Sequence, residues 1–215
     1  MKSAVVLHGY RFSTYTRTVR LALLSKGVTH AYAEVDPFAE LSDTYARMHP
    51  FGRVPLLQHG TFEIFETAVI TRYIDRAFVG RALQPDHVAD LARMDQVIAV
   101  VDAYAYWPMV RQVASHGFSR PFFGEEFRLE DVEVGIKASH HVLTFLNRVA
   151  EEGAVLSGRM FTLADCHLAP VMDYFLRTAE GKLALSDYAA LSDWWNALSA
   201  TEHLRTTDPF ARENH

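Results

Sequence analysis

The sequence has one cysteine, Cys166, among its 215 residues. A single thiol cannot form an internal disulfide, a CxxC redox pair or a cysteine-based zinc site, so these three uses of cysteine are excluded within the chain. The low cysteine content also weakly favours a reducing compartment. Because Cys166 lies in an apolar stretch, we interpret it as a buried, unreactive thiol.

Long apolar runs are also missing. No stretch approaches the ~20 residues that a bilayer-spanning helix needs, and the run at 4–7 is too short for the core of a signal peptide. We therefore predict a cytoplasmic protein with no membrane partner. The 11 histidines show no metal-binding spacing, because His140 and His141 are adjacent and adjacent residues on a helix cannot share one face. No metal is expected.

The sequence also has no surplus of positive charge. The chain has 21 Lys and Arg against 26 Asp and Glu, a net charge of −5 with neutral histidines. Nucleic acid is therefore not expected as a partner, because its binding depends on contacts between basic side chains and phosphates. The charge is unevenly divided, with +2 on residues 1–78 and −7 on the remainder. The first part of the chain thus offers the more favourable field for a small anionic ligand.

The sequence does have enough apolar residues for a sizeable core, since they make up 49% of the chain. In residues 1–78, short β-branched runs alternate with stretches of helical periodicity, and the predicted order is β-α-β-α-β-β-α, a small α/β module. The predicted strands are 4–7, 31–35 and a hairpin over 54–64; the predicted helices are 15–25, a weak one ending near residue 48, and 66–78.

Beyond a linker over residues 79–87 the pattern is helical. Apolar residues recur at spacings of three and four, and no run of strand type competes with them. We expect Pro108 to end the aromatic helix in which it lies. An α/β domain at 1–78 is thus predicted to precede an all-α domain at 88–215, with helices over 91–105, 130–150, 162–178 and 188–198.

A Val54-Pro55 pair stands directly before a predicted strand. Proline cannot donate to a β-ladder, so it fits the start of a strand. A cis bond between these residues would turn the backbone of Val54 towards an extended peptide ligand, although a trans bond is the more frequent case.

Two further features lie at predicted helix starts. Glu66 and Thr67 either cap their helix, or bind a ligand: the Thr67 hydroxyl and amide would take a carboxylate at the positive helix end, and Glu66 would face an ammonium group. Ser13 stands at or just before the start of the first helix, where Thr14 could serve equally well as the N-cap. Ser13 is either an N-cap or a hydroxyl that donates to a bound thiolate and lowers its pKa.

Together these features resemble the cytosolic glutathione transferases. The resemblance rests on the β-α-β-α-β-β-α order, on Val54-Pro55, on Glu66-Thr67, and on Phe161-Thr162-Leu163-Ala164-Asp165 in the second half. In that last motif Thr162 would cap a helix and Asp165 would bond back to its amide. The resemblance covers essentially the whole chain. It implies an α/β N-terminal thioredoxin-like domain followed by an all-α C-terminal helical domain.

The resemblance implies a role for each matching position. Ser13 falls where serine-type classes, of which zeta, theta and phi are examples, have the residue that activates the thiol of glutathione. Tyr10 lies one place from the catalytic position of the tyrosine-type classes and is the second candidate. The implied glutathione-binding residues are Arg53 for the glycine carboxylate, Val54 for the cysteinyl backbone, Pro55 as the cis proline, and Glu66 and Thr67 for the γ-glutamyl end. Thr67 stands in place of the usual serine, and His49 in place of a frequent asparagine.

An acceptor-substrate pocket is expected between the two domains. The resemblance puts the aromatic helix of the second half opposite the thiol, although an aromatic stripe on a helix is more often part of a core. The predicted lining residues are Tyr10, Tyr104, Trp107 and Arg111.

The implied function is that of a glutathione transferase, which activates the thiol of its co-substrate glutathione for attack on an electrophilic small molecule, as in detoxification. Two alternatives stay open: a glutathione-dependent isomerase or dehalogenase, and a non-catalytic interaction protein with the same fold. A disulfide-reductase role is disfavoured because position 13 is a serine and not a cysteine. The resemblance also implies a homodimer, for which Phe51 and Phe62 are candidate anchors.

Overall fold

The computed structural model describes residues 4–211. These residues divide into two compact units. The first consists of residues 4–83 together with residues 202–211, and the second of residues 84–201.

The first unit contains a four-stranded mixed sheet with the strand order β2-β1-β3-β4. β2 is parallel to β1, whereas β3 is antiparallel to both β1 and β4. The order of elements is the predicted β-α-β-α-β-β-α. The elements are β1 (Val5–Gly9), α1 (Thr14–Ser25), β2 (Ala31–Glu34), α2 (Asp43–Met48), β3 (Leu56–His59), β4 (Phe62–Phe65) and α3 (Thr67–Ala77).

The core of this unit forms where apolar faces of the sheet and of α1 and α3 are buried. Leu7, Leu56 and Leu57 are fully buried on the sheet. Because neighbouring residues of a strand point to opposite faces, the burial of both Leu56 and Leu57 shows that the start of β3 is covered on both faces. α1 ends as predicted at Gly27, whose φ of +65° lies in the region that glycine adopts without strain. Beside this end, a buried ion pair of 3.0 Å joins Lys26 to Asp75 of α3.

The second unit is entirely helical. Its central helix, α7, is buried from Leu163 to Met172, which is typical of a helix that other helices surround on all sides. Cys166 in this helix is fully buried, as predicted. The helices are α4 (Val88–Val100), a π-helical stretch (Val101–Ser119), α5 (Arg120–Phe123), α6 (Leu129–Glu152), α7 (Leu163–Phe175), α8 (Ala179–Leu185) and α9 (Ala189–Ser199). The predicted fold class, an α/β domain followed by an all-α domain, is confirmed.

The expectation that Pro108 ends its helix is wrong. The backbone stays helical through Pro108 to Ser119 and continues into α5. Proline has no backbone N–H, so one helical hydrogen bond is missing at Pro108 in either helical form, and in an α-helix its ring also crowds the carbonyl of residue i−4. The wider turn of the π form, whose hydrogen bonds run to residue i−5, relieves this crowding and lets the helix continue.

The expected hydrogen bond between the Asp165 carboxylate and the backbone amide of Thr162 is confirmed at the start of α7. Asp165 Oδ2 accepts from the backbone N–H and from the hydroxyl of Thr162, both at 2.7 Å. Its other oxygen accepts from Trp194 Nε1 at 2.7 Å. Burial raises the pKa of Asp165, and the hydrogen bonds oppose that rise. The start of α7 is thereby tied to α9.

The last helix, α10 (Glu202–Thr206), belongs to the first unit. The predicted domain at 88–215 assigned this segment to the helical half, so the two divisions differ at the C-terminal end. The physical reason is the buried guanidinium of Arg17 in α1, which donates to the carbonyl of Leu204. Within residues 4–211, no helix has the length and apolar character that crossing a membrane requires.

Candidate functional site

The register of the sheet brings three separate parts of the chain to one edge. His8 at the end of β1 is paired with Leu56 at the start of β3, and Leu56 is paired with Phe65 at the end of β4. Residues that follow β1, precede β3 and follow β4 therefore lie next to one another. We call this end of the sheet the site edge.

The site edge collects the three features that the sequence singles out. The turn that contains Ser13 follows β1, the pair Val54–Pro55 precedes β3, and the pair Glu66–Thr67 follows β4. These residues lie up to about 54 positions apart in the chain, and only the antiparallel register makes them neighbours. The edge also has two helix N-termini, those of α1 and α3, whose partial positive charge favours an anionic ligand.

Ser13 is the N-cap of α1. Its side-chain oxygen accepts from the backbone N–H of Thr16 at 3.2 Å, and its own backbone N–H donates to the carbonyl of Tyr10 at 2.9 Å. A Cβ added at Gly9 would overlap the side chain of Thr16, so β1 and the first turn of α1 approach closely. Within residues 4–211 the structure shows no acceptor for the hydroxyl proton of the half-buried Ser13.

The Val54–Pro55 bond is cis, as the resemblance implies. A residue that the sequence did not single out holds the backbone beside it: the hydroxyl of Tyr45 donates to the carbonyl of Arg53 at 2.6 Å. Burial raises the pKa of Tyr45 to about 12, so the phenol stays protonated and able to donate. Arg53 itself is exposed.

Glu66 has an unusual backbone. Its φ of +70° lies in the left-handed region, which costs a residue with a side chain about 1–3 kcal/mol. The Glu66 side chain is exposed and makes no capping hydrogen bond, so the capping alternative does not hold for it. Backbone strain of this kind is concentrated at ligand sites.

Thr67 is the first residue of α3 and is buried, with 8% of its surface exposed. In the part of the chain that the structure describes, its hydroxyl has no hydrogen-bond partner. A hydroxyl without a partner at the positive end of a helix is suited to donate to a ligand carboxylate.

His49 lies behind the site edge. Only 3% of it is exposed, its ring stacks on Phe65 with centroids 4.6 Å apart, and its Nδ1 has no hydrogen-bond partner among residues 4–211. Burial lowers the pKa of His49; Glu66 opposes this shift, and Arg53 adds to it. The imidazole is therefore held in its neutral form.

Tyr10 contributes an aromatic surface beside the Ser13 turn. Its ring meets Phe12 edge-to-face at 5.6 Å and Phe38 at 5.8 Å between centroids. Tyr10 is half-buried, and its backbone N–H donates to Thr16 Oγ1 at 3.3 Å. An apolar acceptor would find aromatic contacts here.

The remaining predicted pocket residues belong to the helical unit. Tyr104 and Trp107 in the π-helical stretch are 67% and 63% exposed, and Arg111 is also exposed. They therefore lie outside the core of that unit, although an aromatic stripe on a helix is more often part of a core. Their share in an acceptor pocket stays a prediction.

A thioredoxin-like module with a cis proline before its third strand, followed by an all-helical unit, is the architecture of glutathione-dependent transferases. Family models support this class in both halves: the glutathione S-transferase N-terminal domain matches residues 7–82, and the glutathione S-transferase C-terminal domain matches residues 106–202. The chain belongs to the glutathione S-transferase family, as the sequence analysis predicted.

Individual relatives agree with this assignment. The chain is 26% identical over 202 residues to glutathione S-transferase F12 of Arabidopsis thaliana, with 91% of this chain and 92% of the relative covered. It is 30% identical over 183 residues to a glutathione S-transferase of Pseudomonas putida, with 84% and 78% covered. The crystal structure of glutathione transferase F7 from Populus trichocarpa superimposes with a TM-score of 0.82 at 22% identity and covers 95% of this chain and 97% of that one.

These relatives are enzymes that transfer groups to glutathione, and the chain is a glutathione transferase by family. Of the classes that the resemblance suggests, the F-series plant relatives fit a phi-like member.

Proposed function

We propose that the chain binds glutathione along the site edge and ionises its thiol beside Ser13. The observation that carries this proposal is the register of the sheet, because it brings the Ser13 turn, the cis Val54–Pro55 bond and the Glu66–Thr67 helix start to one edge. A pure scaffold has no need for all three features in one place.

The parts of glutathione match the chemistry along this edge. The γ-glutamyl carboxylate binds the Thr67 hydroxyl at the start of α3, and its ammonium group faces Glu66. The cysteinyl backbone pairs with Val54 as an added strand would. Arg53 takes the glycine carboxylate, and the thiol reaches Ser13. The exposed positions of Glu66 and Arg53 support contacts with a ligand that arrives from solvent.

Ionisation of the thiol is the step that the protein has to favour. A thiol has a pKa near 8.5, and lowering it by two units requires about 2.7 kcal/mol of preferential stabilisation of the thiolate. A hydrogen bond from a hydroxyl to a charged sulfur contributes roughly 1.5–3 kcal/mol, and the N-terminus of a helix adds about 0.3–1 kcal/mol. The Ser13 hydroxyl at the start of α1 supports a shift of this size.

In the transfer step the thiolate sulfur forms a bond to an electrophilic carbon. With an alkyl or aryl halide the carbon–halogen bond breaks and halide leaves; with a Michael acceptor the electron pair moves to the neighbouring carbon, which takes a proton from water. The aromatic rings around Tyr10 support an apolar acceptor. We propose that Tyr104, Trp107 and Arg111 complete the acceptor pocket.

Two further properties belong to this proposal. We infer a homodimer that uses Phe51 and Phe62, which are 69% and 48% exposed on the first unit. An exposed aromatic residue is a frequent anchor of a protein interface. We also infer a role in the detoxification of electrophiles in the cytoplasm, with which the single cysteine is consistent.

Retention on immobilised glutathione tests the proposal. The wild-type chain is expected to bind the resin, to elute with free glutathione, and to conjugate an aryl halide in a glutathione-dependent assay. The Glu66→Gln variant, which removes the charge that faces the ammonium group, should elute earlier. A wild-type chain that flows through the resin and shows no conjugation would identify a scaffold with the same fold.

A further inference from the structure

The C-terminal segment, residues 202–211, contacts the chain on both sides of Ser13. It begins with α10 and forms part of the same compact unit as the sheet. One set of contacts reaches Arg17, one turn after Ser13, and a second set reaches Arg11 and Phe12, directly before it.

The first set of contacts is centred on a buried guanidinium. Arg17 is only 2% exposed, and its backbone N–H donates to the carbonyl of Ser13 at 3.0 Å. Its Nε donates to Thr207 Oγ1 at 3.2 Å, and its Nη2 donates to the carbonyl of Leu204 at 2.9 Å. A buried charge is tolerated only when its N–H groups are hydrogen-bonded, so the first turn of α1 is fixed to α10.

The second set holds the residues that lead into Ser13. Arg11 Nη2 donates to the carbonyl of Pro209 at 3.1 Å, and the same guanidinium lies 5.0 Å from the ring centroid of Phe12. On the C-terminal segment, the ring of Phe210 packs on Phe12 with centroids 5.2 Å apart. Both flanks of Ser13 are thus held by the last residues of the described chain.

We infer that residues 202–211, the C-terminal brace, set the position from which the Ser13 hydroxyl donates to the glutathione thiolate. This inference rests on the proposed function of Ser13. Hydrogen bonds weaken steeply as distance and angle depart from their optimum, so a small displacement of the Ser13 turn reduces the donation. The glutathione contacts at Val54, Glu66 and Thr67 lie on other elements and stay intact. Arg17 and Thr207 are therefore positioning residues.

Substitutions at Thr207 separate this role from simple stability. Thr207→Val keeps the shape of the side chain and removes the oxygen that accepts from Arg17, whereas Thr207→Ser keeps that oxygen. Lys26→Met is the matched control, because it breaks the buried pair with Asp75 at the opposite end of α1. Phe210→Ala removes the ring that packs on Phe12 and changes no charge, so it tests the second set of contacts independently.

The measured quantity is the pKa of the thiol of bound glutathione, obtained by titrating the thiolate absorbance of each complex. Thr207→Val and Phe210→Ala are expected to raise this pKa by about one unit, the size expected when one charge-assisted hydrogen bond is weakened. Thr207→Ser should restore the wild-type value, and Lys26→Met should lower the melting temperature without moving the pKa. In a Ser13→Ala background, Thr207→Val should cause no further shift, because it acts through Ser13.

Three results would overturn the inference. A Thr207→Val complex with the wild-type pKa, or a shift that persists in the Ser13→Ala background, removes the positioning role and leaves the proposed function intact. A wild-type chain that binds no glutathione removes the proposed function and the inference with it.

Discussion

The side-chain oxygen of Ser13 accepts a hydrogen bond from the backbone N–H of Thr16, with 3.2 Å between the two atoms. A serine oxygen has two acceptor sites and one donor, so this bond leaves the hydroxyl proton available. An N–H that donates to the oxygen also polarises the O–H group and strengthens its donation. The N-cap role and the thiol-activating role, which sequence reasoning treats as alternatives, are therefore compatible in one residue.

Removal of the Thr67 hydroxyl should weaken glutathione binding more than it slows turnover. A contact with the γ-glutamyl carboxylate exists both before and during the reaction, so its loss raises KM for glutathione and leaves kcat largely unchanged. Thr67→Ala is compared with Thr61→Ala, the same substitution in the exposed turn between β3 and β4. Calorimetry should show weaker glutathione binding for Thr67→Ala and wild-type binding for Thr61→Ala. Equal affinities would remove Thr67 from the site.

Tyr45→Phe should weaken glutathione binding through the backbone beside Val54. The phenol holds the carbonyl of Arg53 at 2.6 Å, and a hydrogen bond of this kind contributes about 0.5–1.5 kcal/mol net. Part of its loss should appear as reduced affinity. The matched control is Tyr73→Phe, which removes a hydroxyl bonded to His59 on the same unit. If both variants bind glutathione equally well, Tyr45 does not support the site.

His49 should make the stability of the protein depend on pH. Burial lowers its pKa in the folded state, so the unfolded chain takes up a proton first as the pH falls below about 6.5. Unfolding then becomes easier with falling pH, until the folded-state pKa is passed.

His49→Asn removes this contribution, and its free energy of unfolding should fall less than that of the wild type between about pH 7 and about pH 5. His116, whose pKa burial also lowers, is present in both proteins and cancels in the difference. Parallel pH profiles for the two proteins would contradict a pH-dependent role of His49.

The proposed dimer predicts a sedimentation mass near twice 24.3 kDa at micromolar concentration. Phe51→Asp should shift the mass towards one chain, because a charge in the centre of an interface cannot be buried without a partner. Phe38→Asp is the control, since Phe38 is equally exposed on the same unit. A wild-type mass near that of one chain would refute the dimer.

Local patterns were sufficient to predict most of the fold. The order of the first seven elements, the Gly27 stop and the bond between Thr162 and Asp165 each depend on a few neighbouring residues, and the structure contains all of them. Pro108 was misjudged because a local rule forbids proline in an α-helix, whereas the chain adopts a π-helical stretch there.

The supporting contacts of the candidate site could not be predicted in this way. Tyr45 donates to a carbonyl eight residues further on, and Arg17 donates to Thr207, which is 190 residues away. No spacing in the sequence marks such pairs, because they form only once the sheet and the C-terminal segment have folded together. The strained backbone of Glu66 was also invisible, since glutamate gives no signal for a positive φ.

Titration of the thiolate absorbance of bound glutathione tests the central role of Ser13 most directly. Ser13→Ala removes a hydrogen bond worth roughly 1.5–3 kcal/mol, so the pKa of the bound thiol should rise by about one to two units, while Tyr10→Phe should leave it unchanged. Loss of the cap costs about 1 kcal/mol of stability in Ser13→Ala, which a melting curve measures separately. A pKa for Ser13→Ala within about half a unit of the wild-type value, together with a clear shift in Tyr10→Phe, would contradict the account and assign thiol activation to Tyr10.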